Sequence, residues 1–132
     1  MNKTILAFDA GDKYIGVAEN KSNHVFVLDN IDTEHLVDFV KEYITKNALE
    51  KIIIGLPVNE DGTENDQCKK TYSLAKKIET VFDGEIVLEN EFLSSIEAQN
   101  NLRTLGYSPK EVKEKEHSEA AKIILEQYIQ NR

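Results

Sequence analysis

Short apolar runs separated by turn residues occupy the N-terminal part of the chain. Ile5–Asp9, Tyr14–Ala18 and His24–Leu28 are rich in apolar and β-branched residues, and the segments between them contain Gly11-Asp12 and Lys21-Ser22-Asn23. Runs of this length with such short connections are typical of neighbouring antiparallel strands. The pattern therefore predicts a three-stranded antiparallel meander.

After the meander, helical stripes alternate with buried strands. A helix is predicted to start near Asp32 or Thr33, because apolar residues then recur at helical spacing. Two continuous apolar runs, Ile52–Leu56 and Ile86–Leu88, predict strands that are covered on both faces. The helix between these strands is predicted to bury one stripe, made up of Cys68, Tyr72, Ala75, Ile78 and Phe82.

Start and stop signals indicate further helices in the C-terminal part. A capping-box pattern begins at Ser94, and its helix is predicted to stop at Gly106. Ser108-Pro109 is another start signal, and Glu116–Ala121 is placed at the opening of the last helix. Strands separated by helices imply parallel pairing with helices on both sheet faces. We therefore predict one α/β domain over residues 1–132, with the last two strands parallel to the first.

Composition and charge narrow the class of protein. The single cysteine, Cys68, excludes an internal disulfide and argues against a cysteine-based zinc site. No apolar run is long enough to span a membrane and no signal-peptide pattern is present, so we expect a cytoplasmic protein with no membrane partner. The net charge of −8 means that nucleic-acid binding would need a local basic patch or metal ions. Lys69-Lys70 and Lys76-Lys77 are more typical of a solvated helix face.

Acidic residues follow two of the predicted strands. Asp9 closes the first apolar strand before a glycine turn, and Glu91 follows the fifth strand. A carboxylate at the end of a buried strand is costly unless it is hydrogen-bonded or bound to a metal. The structural alternatives are that Asp9 bonds its own turn and that Glu91 favours the dipole of the next helix.

Two further segments could contribute to a site. Gly55-Leu56-Pro57 ends the predicted central strand and is followed by Asn59, where ligands bind in open α/β sheets. His117 is predicted on the apolar stripe of the last helix, facing the end of the sheet, whereas Glu116 and Glu119 are predicted to point elsewhere. The structural alternative for His117 is a histidine that caps the helix or is simply hydrogen-bonded.

Together these segments resemble the YqgF-type family of Holliday-junction resolvases and pre-16S rRNA nucleases. Residues 8–18 resemble the family's Asp-x-Gly-Thr-Lys-x-x-Gly-Val-Ala turn, and residues 55–63 its Gly-Leu-Pro-x-x-x-Asp-Gly-Thr loop. Residues 89–98 resemble its Asp-Glu-Arg-x-Thr-Thr-x-Glu-Ala segment, and residues 116–121 its last Asp before an Ala-rich helix. The resemblance implies a ribonuclease-H-like α/β/α sandwich with a five-stranded mixed sheet.

The family resemblance also implies a site and a substrate. Asp9, Glu91 and His117 match the positions of catalytic residues that hold a divalent metal, Mg²⁺ or Mn²⁺, while Lys13 and Asn59 are the expected nucleic-acid contacts. Asp9 would bridge the metals, Glu91 would complete the cage, and His117 would be a ligand or would orient water. The implied activity is hydrolysis of phosphodiester bonds in structured RNA such as precursor rRNA, with association with the ribosome, or in branched DNA.

The chain departs from the family pattern at the site. Asp12 stands for Thr, Asn90 for Asp, Phe92 for Arg and His117 for the last Asp. An imidazole ligand favours manganese over magnesium, and activity should fall in acid because a protonated ring cannot bind metal. The altered charges favour the alternative of a non-catalytic module that docks on ribosomal RNA or protein. A phosphotransferase of the sugar-kinase and actin type shares the Asp-x-Gly turn, but needs two domains and therefore a longer chain.

Overall fold

A mixed five-stranded sheet forms the centre of the protein. The computed structural model describes residues 3–90 and 92–131. Its strands are β1 (Lys3–Ala10), β2 (Tyr14–Lys21), β3 (His24–Asp32), β4 (Ala48–Leu56) and β5 (Glu85–Asn90). They lie in the order β3-β2-β1-β4-β5, with β1, β2 and β3 antiparallel and β4 parallel to both β1 and β5. The predicted meander and the predicted parallel pairing are both confirmed.

Helices cover both faces of this sheet. A 3₁₀ turn at Thr33–His35 leads into α1 (Leu36–Lys46), which packs with α2 (Asp66–Glu79) on one face. On the other face lies α4 (Pro109–Asn131), and α3 (Phe92–Thr104) packs against it. The larger core, between the sheet and the first two helices, includes Leu6, Phe8, Ile15, Val17, Leu36, Val40, Ile52, Ile54, Leu74 and Ile78. This is the predicted three-layer α/β/α sandwich.

The buried stripe of α2 differs from the predicted one. The prediction that Tyr72 faces the core is wrong, because its side chain is 37% exposed and donates a hydrogen bond to Glu64. Thr71 is buried instead, and its hydroxyl donates to the backbone oxygen of Gly55 at 3.1 Å. A polar residue can occupy a core position when its hydroxyl is hydrogen-bonded to the backbone of a strand. A search for apolar residues alone does not find such a position.

The helix start predicted at Ser108-Pro109 is confirmed, whereas the prediction that Glu116 opens the last helix is wrong. Ser108 Oγ accepts a hydrogen bond from the Glu111 N–H, and the Glu111 carboxylate accepts one from the Ser108 N–H. This reciprocal pair is a capping box, so one continuous helix starts at Pro109 and Glu116 does not open it. His117 lies inside the helix and cannot cap it. The capping pair predicted at Ser94 falls on a side chain outside the described part of the structure.

None of the described helices is both long and apolar enough to cross a membrane.

Candidate active site at the carboxyl end of the sheet

A buried carboxylate and an imidazole meet at the carboxyl end of β1. Asp9 is 2% exposed, and its Oδ2 lies 2.6 Å from Nδ1 of His117 on α4. When Asp9 is ionised, its carboxylate can only accept, so in that state Nδ1 donates and Nε2 is left for another partner. The bond offsets part of the cost of burying the Asp9 charge. Two of the three predicted site residues are thus in contact, while Glu91 lies outside the described residues.

Two glycines allow α4 to approach the sheet closely enough for this contact. Gly16 is the β2 partner of Asp9, and a Cβ there would overlap the backbone carbonyl of His117. A Cβ on Gly11 would lie 2.7 Å from His117 Nε2 and 2.6 Å from the Tyr14 oxygen. Sequence reasoning missed this role of Gly16. A glycine inside a predicted strand, which often marks a close backbone approach, was the available signal.

His117 lines an open cavity of about 620 Å³, which we call the His117 cavity. Its boundary also includes Gly11, Asp12, Lys13, Tyr14, Asn30, Lys110, Lys113, Glu114 and Glu116. The imidazole is therefore the member of the Asp9–His117 pair that the cavity exposes. Three lysines from the β1–β2 turn and the start of α4 border the same space. Three carboxylates, those of Asp12, Glu114 and Glu116, border it as well, so the formal charges of the lining balance on a chain of net charge −8.

Glu116 belongs to this site, so the prediction that it points elsewhere is wrong. Its Oε1 lies 4.0 Å from His117 Nε2, and its Oε2 accepts a hydrogen bond of 2.9 Å from Gln99 Nε2 on α3. Adjacent helical residues diverge around the axis, but a long side chain held at its other oxygen can still reach its neighbour. Here Gln99 fixes the other oxygen because α3 packs on α4. No local sequence pattern indicates this packing.

The two predicted nucleic-acid contacts lie in different surroundings. Lys13 borders the His117 cavity, with its Nζ 5.5 Å from the centre of the Tyr14 ring. Asn59 lies in the loop between β4 and α2, where its Nδ2 donates to Thr63 Oγ1 at 3.0 Å. Its Oδ1 accepts from Asn65 Nδ2 at 2.8 Å. Both ends of the Asn59 amide are used within the loop, and its contact with nucleic acid stays a prediction.

A second cavity, with three lysines and one carboxylate in its lining, shares the turn after β1. This α2 lysine cavity, of about 330 Å³, is lined by Ala10, Gly11, Asp12, Thr33, Lys69, Lys70, Ser73, Leu74 and Lys77. Lys70 forms an ion pair with Asp12, the acid that stands for the family's Thr. The hydrogen bond and the charge of Lys70 hold the pKa of the Asp12 carboxyl below its usual value, and the charge of His117 adds to this. Sequence reasoning treated these lysines only as a solvated helix face.

The donor atoms at the site are of the kind that divalent metals accept. Carboxylate oxygens suit Mg²⁺ and Mn²⁺, and an imidazole nitrogen moves the preference toward Mn²⁺. Asp9 and His117 supply one of each, and Glu116 is adjacent. Within residues 3–90 and 92–131, no group of three or more acidic, histidine or cysteine side chains is arranged to hold a metal. The third predicted ligand, Glu91, lies outside that part of the chain.

The mixed five-stranded sheet with helices on both faces defines the class of protein, one with a ribonuclease-H-like fold. The solved structure of T. thermophilus RuvC in complex with a Holliday junction substrate matches with a TM-score of 0.59. The match covers 98% of this chain and 96% of that chain at 9% sequence identity, and it therefore supports the fold alone.

The particular family follows from the sequence itself. A family model described as "RuvX: Holliday junction resolvase" matches residues 3–131, and the chain belongs to this family. A relative from Burkholderia lata, named "Putative pre-16S rRNA nuclease", is 30% identical over 131 residues. A relative of the same name from Burkholderia cenocepacia is 29% identical over 131 residues. Each alignment covers 96% of this chain and 88% of the relative.

Proposed function

We propose that the protein is a metal-dependent endonuclease that processes precursor 16S rRNA in association with the ribosome, with branched DNA as the alternative substrate. The observation that carries the proposal is the contact between the buried Asp9 and His117 beside a lysine-lined cavity. The names of the curated relatives support RNA as the substrate, whereas the family description supports branched DNA.

Asp9 and His117 have complementary roles in this proposal. By accepting the hydrogen bond from Nδ1, Asp9 fixes the orientation of the imidazole. Nε2 would then either accept a proton from the attacking water or be one of the atoms that hold the metal. Lys13, Lys110 and Lys113 bind the phosphates on either side of the reacting bond, with charge-assisted hydrogen bonds that require no base recognition.

The metal would be held by Asp9, His117 and Glu91. When bound, a divalent metal lowers the pKa of the attacking water and stabilises the charge on the leaving oxygen. The residues of this chain would retain their own tasks, which are to orient the imidazole and to hold the phosphates. Asn59 would approach the nucleic acid from the loop after β4.

A binding module without catalysis is the second candidate function. The extra negative charge of Asp12 and the replacement of the family's last Asp by His117 favour it. Such a protein would use the same lysines to dock on ribosomal RNA. It would bind RNA as well after loss of the Asp9 carboxylate as before, since Asp9 is buried behind His117.

The two functions are separated by cleavage assays with purified protein. A precursor 16S rRNA fragment and a four-way DNA junction are each incubated with Mg²⁺, Mn²⁺ or EDTA. We expect cleavage that requires metal, is faster with Mn²⁺, and falls at least about 100-fold in Asp9→Asn. His117→Asp should move the preference back toward Mg²⁺. Binding of RNA without cleavage under any of these conditions would contradict the nuclease and support the binding module.

A further inference from the structure

We propose that the α2 lysine cavity binds the phosphodiester backbone of the substrate strand. In the free protein Asp12 forms an ion pair with Lys70, and a phosphate of the strand displaces the Asp12 carboxylate when it binds. The inference rests on the proposed function, because it assigns the path of the strand that the site would cleave. It adds a contact surface on the opposite side of the sheet from α4, and the lysines of that surface belong to none of the family motifs identified above.

The position of the cavity is the first support. Gly11 and Asp12 line both this cavity and the His117 cavity, so the two spaces meet at one turn. Along β1, Phe8 and Ala10 face α1 and α2, while Asp9 faces α4. A strand held at His117 therefore has only to cross the Gly11-Asp12 turn to reach the lysines of α2.

The chemistry of the lining is the second support. The lining contains the lysines Lys69, Lys70 and Lys77 together with two hydroxyl-bearing residues, Ser73 and Thr33. Ammonium and hydroxyl groups are donors that bind phosphate oxygens without reading the base. The pairing of Lys69 with Asp66, at 3.4 Å, lies between two largely exposed side chains and is weakened by solvent and salt. A polyanion that contacts several lysines at once can displace such a pair.

The Lys70–Asp12 pair is the third support. The side chain of Lys70 is 46% exposed and that of Asp12 is 83% exposed, so the bond between them faces solvent. A carboxylate on an ammonium group takes the place that a phosphate oxygen would take. Asp12 thereby competes with the strand, and its negative charge also opposes the approach of nucleic acid. Removing this carboxylate should strengthen binding, and the gain should depend on Lys70.

The experiment measures binding in EDTA, so that cleavage does not contribute. Fluorescence anisotropy is recorded for a labelled precursor 16S rRNA fragment and for a labelled DNA junction over a series of KCl concentrations. Lys69→Gln combined with Lys77→Gln should weaken binding about tenfold and lower the salt slope by about 1 to 2. Asp12→Asn should tighten binding about fivefold, and this gain should vanish when Lys70→Gln is also present.

Glu42→Gln provides the matched control. Glu42 and Lys46 also form an exposed lysine–carboxylate pair, with an N–O distance of 2.9 Å and 69% exposure of each side chain. This pair lies near the end of α1, close to where β4 begins, and so at the opposite end of the sheet. The substitution removes the same charge as Asp12→Asn and should leave affinity unchanged.

Unchanged affinity and salt slope in the double lysine variant would overturn the proposal. The proposal would also be overturned if Glu42→Gln raised affinity as much as Asp12→Asn, or if the gain in affinity from Asp12→Asn persisted when Lys70→Gln was present. Failure of the wild-type protein to bind either nucleic acid would overturn it too. Comparison of the two probes tells whether the cavity accepts RNA, DNA or both. Lysine-dependent binding without cleavage would remove the nuclease proposal alone, whereas cleavage with no lysine dependence would remove this inference alone.

Discussion

The two polar segments at the carboxyl end of the sheet differ in where their hydrogen bonds go. In the loop after β4, Asp61 accepts bonds of 2.9 Å and 2.6 Å from the N–H and hydroxyl of Thr63, and the Asn65 amide reaches the Pro57 oxygen at 2.9 Å. At the turn after β1, by contrast, Asp9 bonds to α4 and Asp12 to α2.

This difference shows where chemistry can reside. The loop after β4 carries the most specific family motif, yet in the structure its described side chains largely bond one another and form a scaffold. The turn after β1 is where segments distant in sequence meet, and its acids contact side chains from two other elements. This contrast supports the proposal that the reaction centre lies at the end of β1 and that the loop has a supporting role.

The largest expected effect comes from Gly16→Ala, which tests the close approach of α4. A Cβ at Gly16 would overlap the His117 carbonyl, so either α4 or β2 must move. We expect the free energy of unfolding to fall by about 3 kcal/mol, measured by denaturant titration. The matched control is Gly62→Ala in the loop after β4, where nothing lies within 4 Å of the added methyl and only the positive φ of 87° is strained. That strain should cost about 1 kcal/mol, and equal losses in the two variants would contradict the account.

Glu116→Gln tests whether the side chain beside His117 takes part in the reaction. The substitution keeps the shape and an oxygen that can accept from Gln99, but removes the charge 4.0 Å from His117 Nε2. We expect cleavage to slow about tenfold with little change in stability, since the lost interaction is electrostatic. The measurement is single-turnover cleavage alongside thermal unfolding. Glu119→Gln is the control on the same helix, and a matching loss there would show that Glu116 has no particular role.

Asn59→Ala distinguishes a scaffold residue from a nucleic-acid contact. Removing the amide breaks bonds to Thr63 and Asn65, so we expect a loss of about 1 kcal/mol in stability. Nucleic-acid affinity in the folded protein should then change little. If affinity falls while stability is unchanged, Asn59 contacts the nucleic acid directly, and the loop after β4 is then more than a scaffold.

The smallest expected effect is the acid response of Asp61. Hydrogen bonds from Thr63 lower the pKa of Asp61 below its usual 3.8. A carboxyl whose pKa is lower in the folded state contributes stability above its unfolded pKa, and this contribution is lost as the pH falls through the folded pKa. Asp61→Asn should therefore lose less stability than wild type between about pH 5 and about pH 2. Parallel thermal unfolding curves for both proteins over this range would contradict it.

Much of the fold follows from the sequence because its pattern is locally consistent. Continuous apolar runs identified β4 and β5, and the short polar connections identified the meander. The start signal at Ser108-Pro109 identified the beginning of α4, whereas Glu116 was wrongly placed at the opening of a helix because Ala120 and Ala121 mark where the helix packs on the sheet. Amphipathic pattern reports burial, and a helix can extend beyond the part that is buried.

The site was predictable only in part, for a physical reason. An acid ending a buried strand and a histidine on a buried stripe both need partners, which drew attention to Asp9 and His117, and the family resemblance then assigned them to the site. Glu116 and the pairing of Asp12 with Lys70 depend on how α3 and α2 sit against the sheet. No local spacing contains that information, since the paired residues are 17 and 58 positions apart.

The central claim is that Asp9 and His117 act as one unit at the reaction centre. The most direct test is single-turnover cleavage of precursor 16S rRNA by wild type, Asp9→Asn, His117→Gln and the double variant. Residues that act as a unit lose their contribution together, so each single variant should be slowed by about 100-fold or more, and the double variant no further. If the two losses multiply in the double variant, or if either single variant cleaves at the wild-type rate, the residues act independently and the account is wrong.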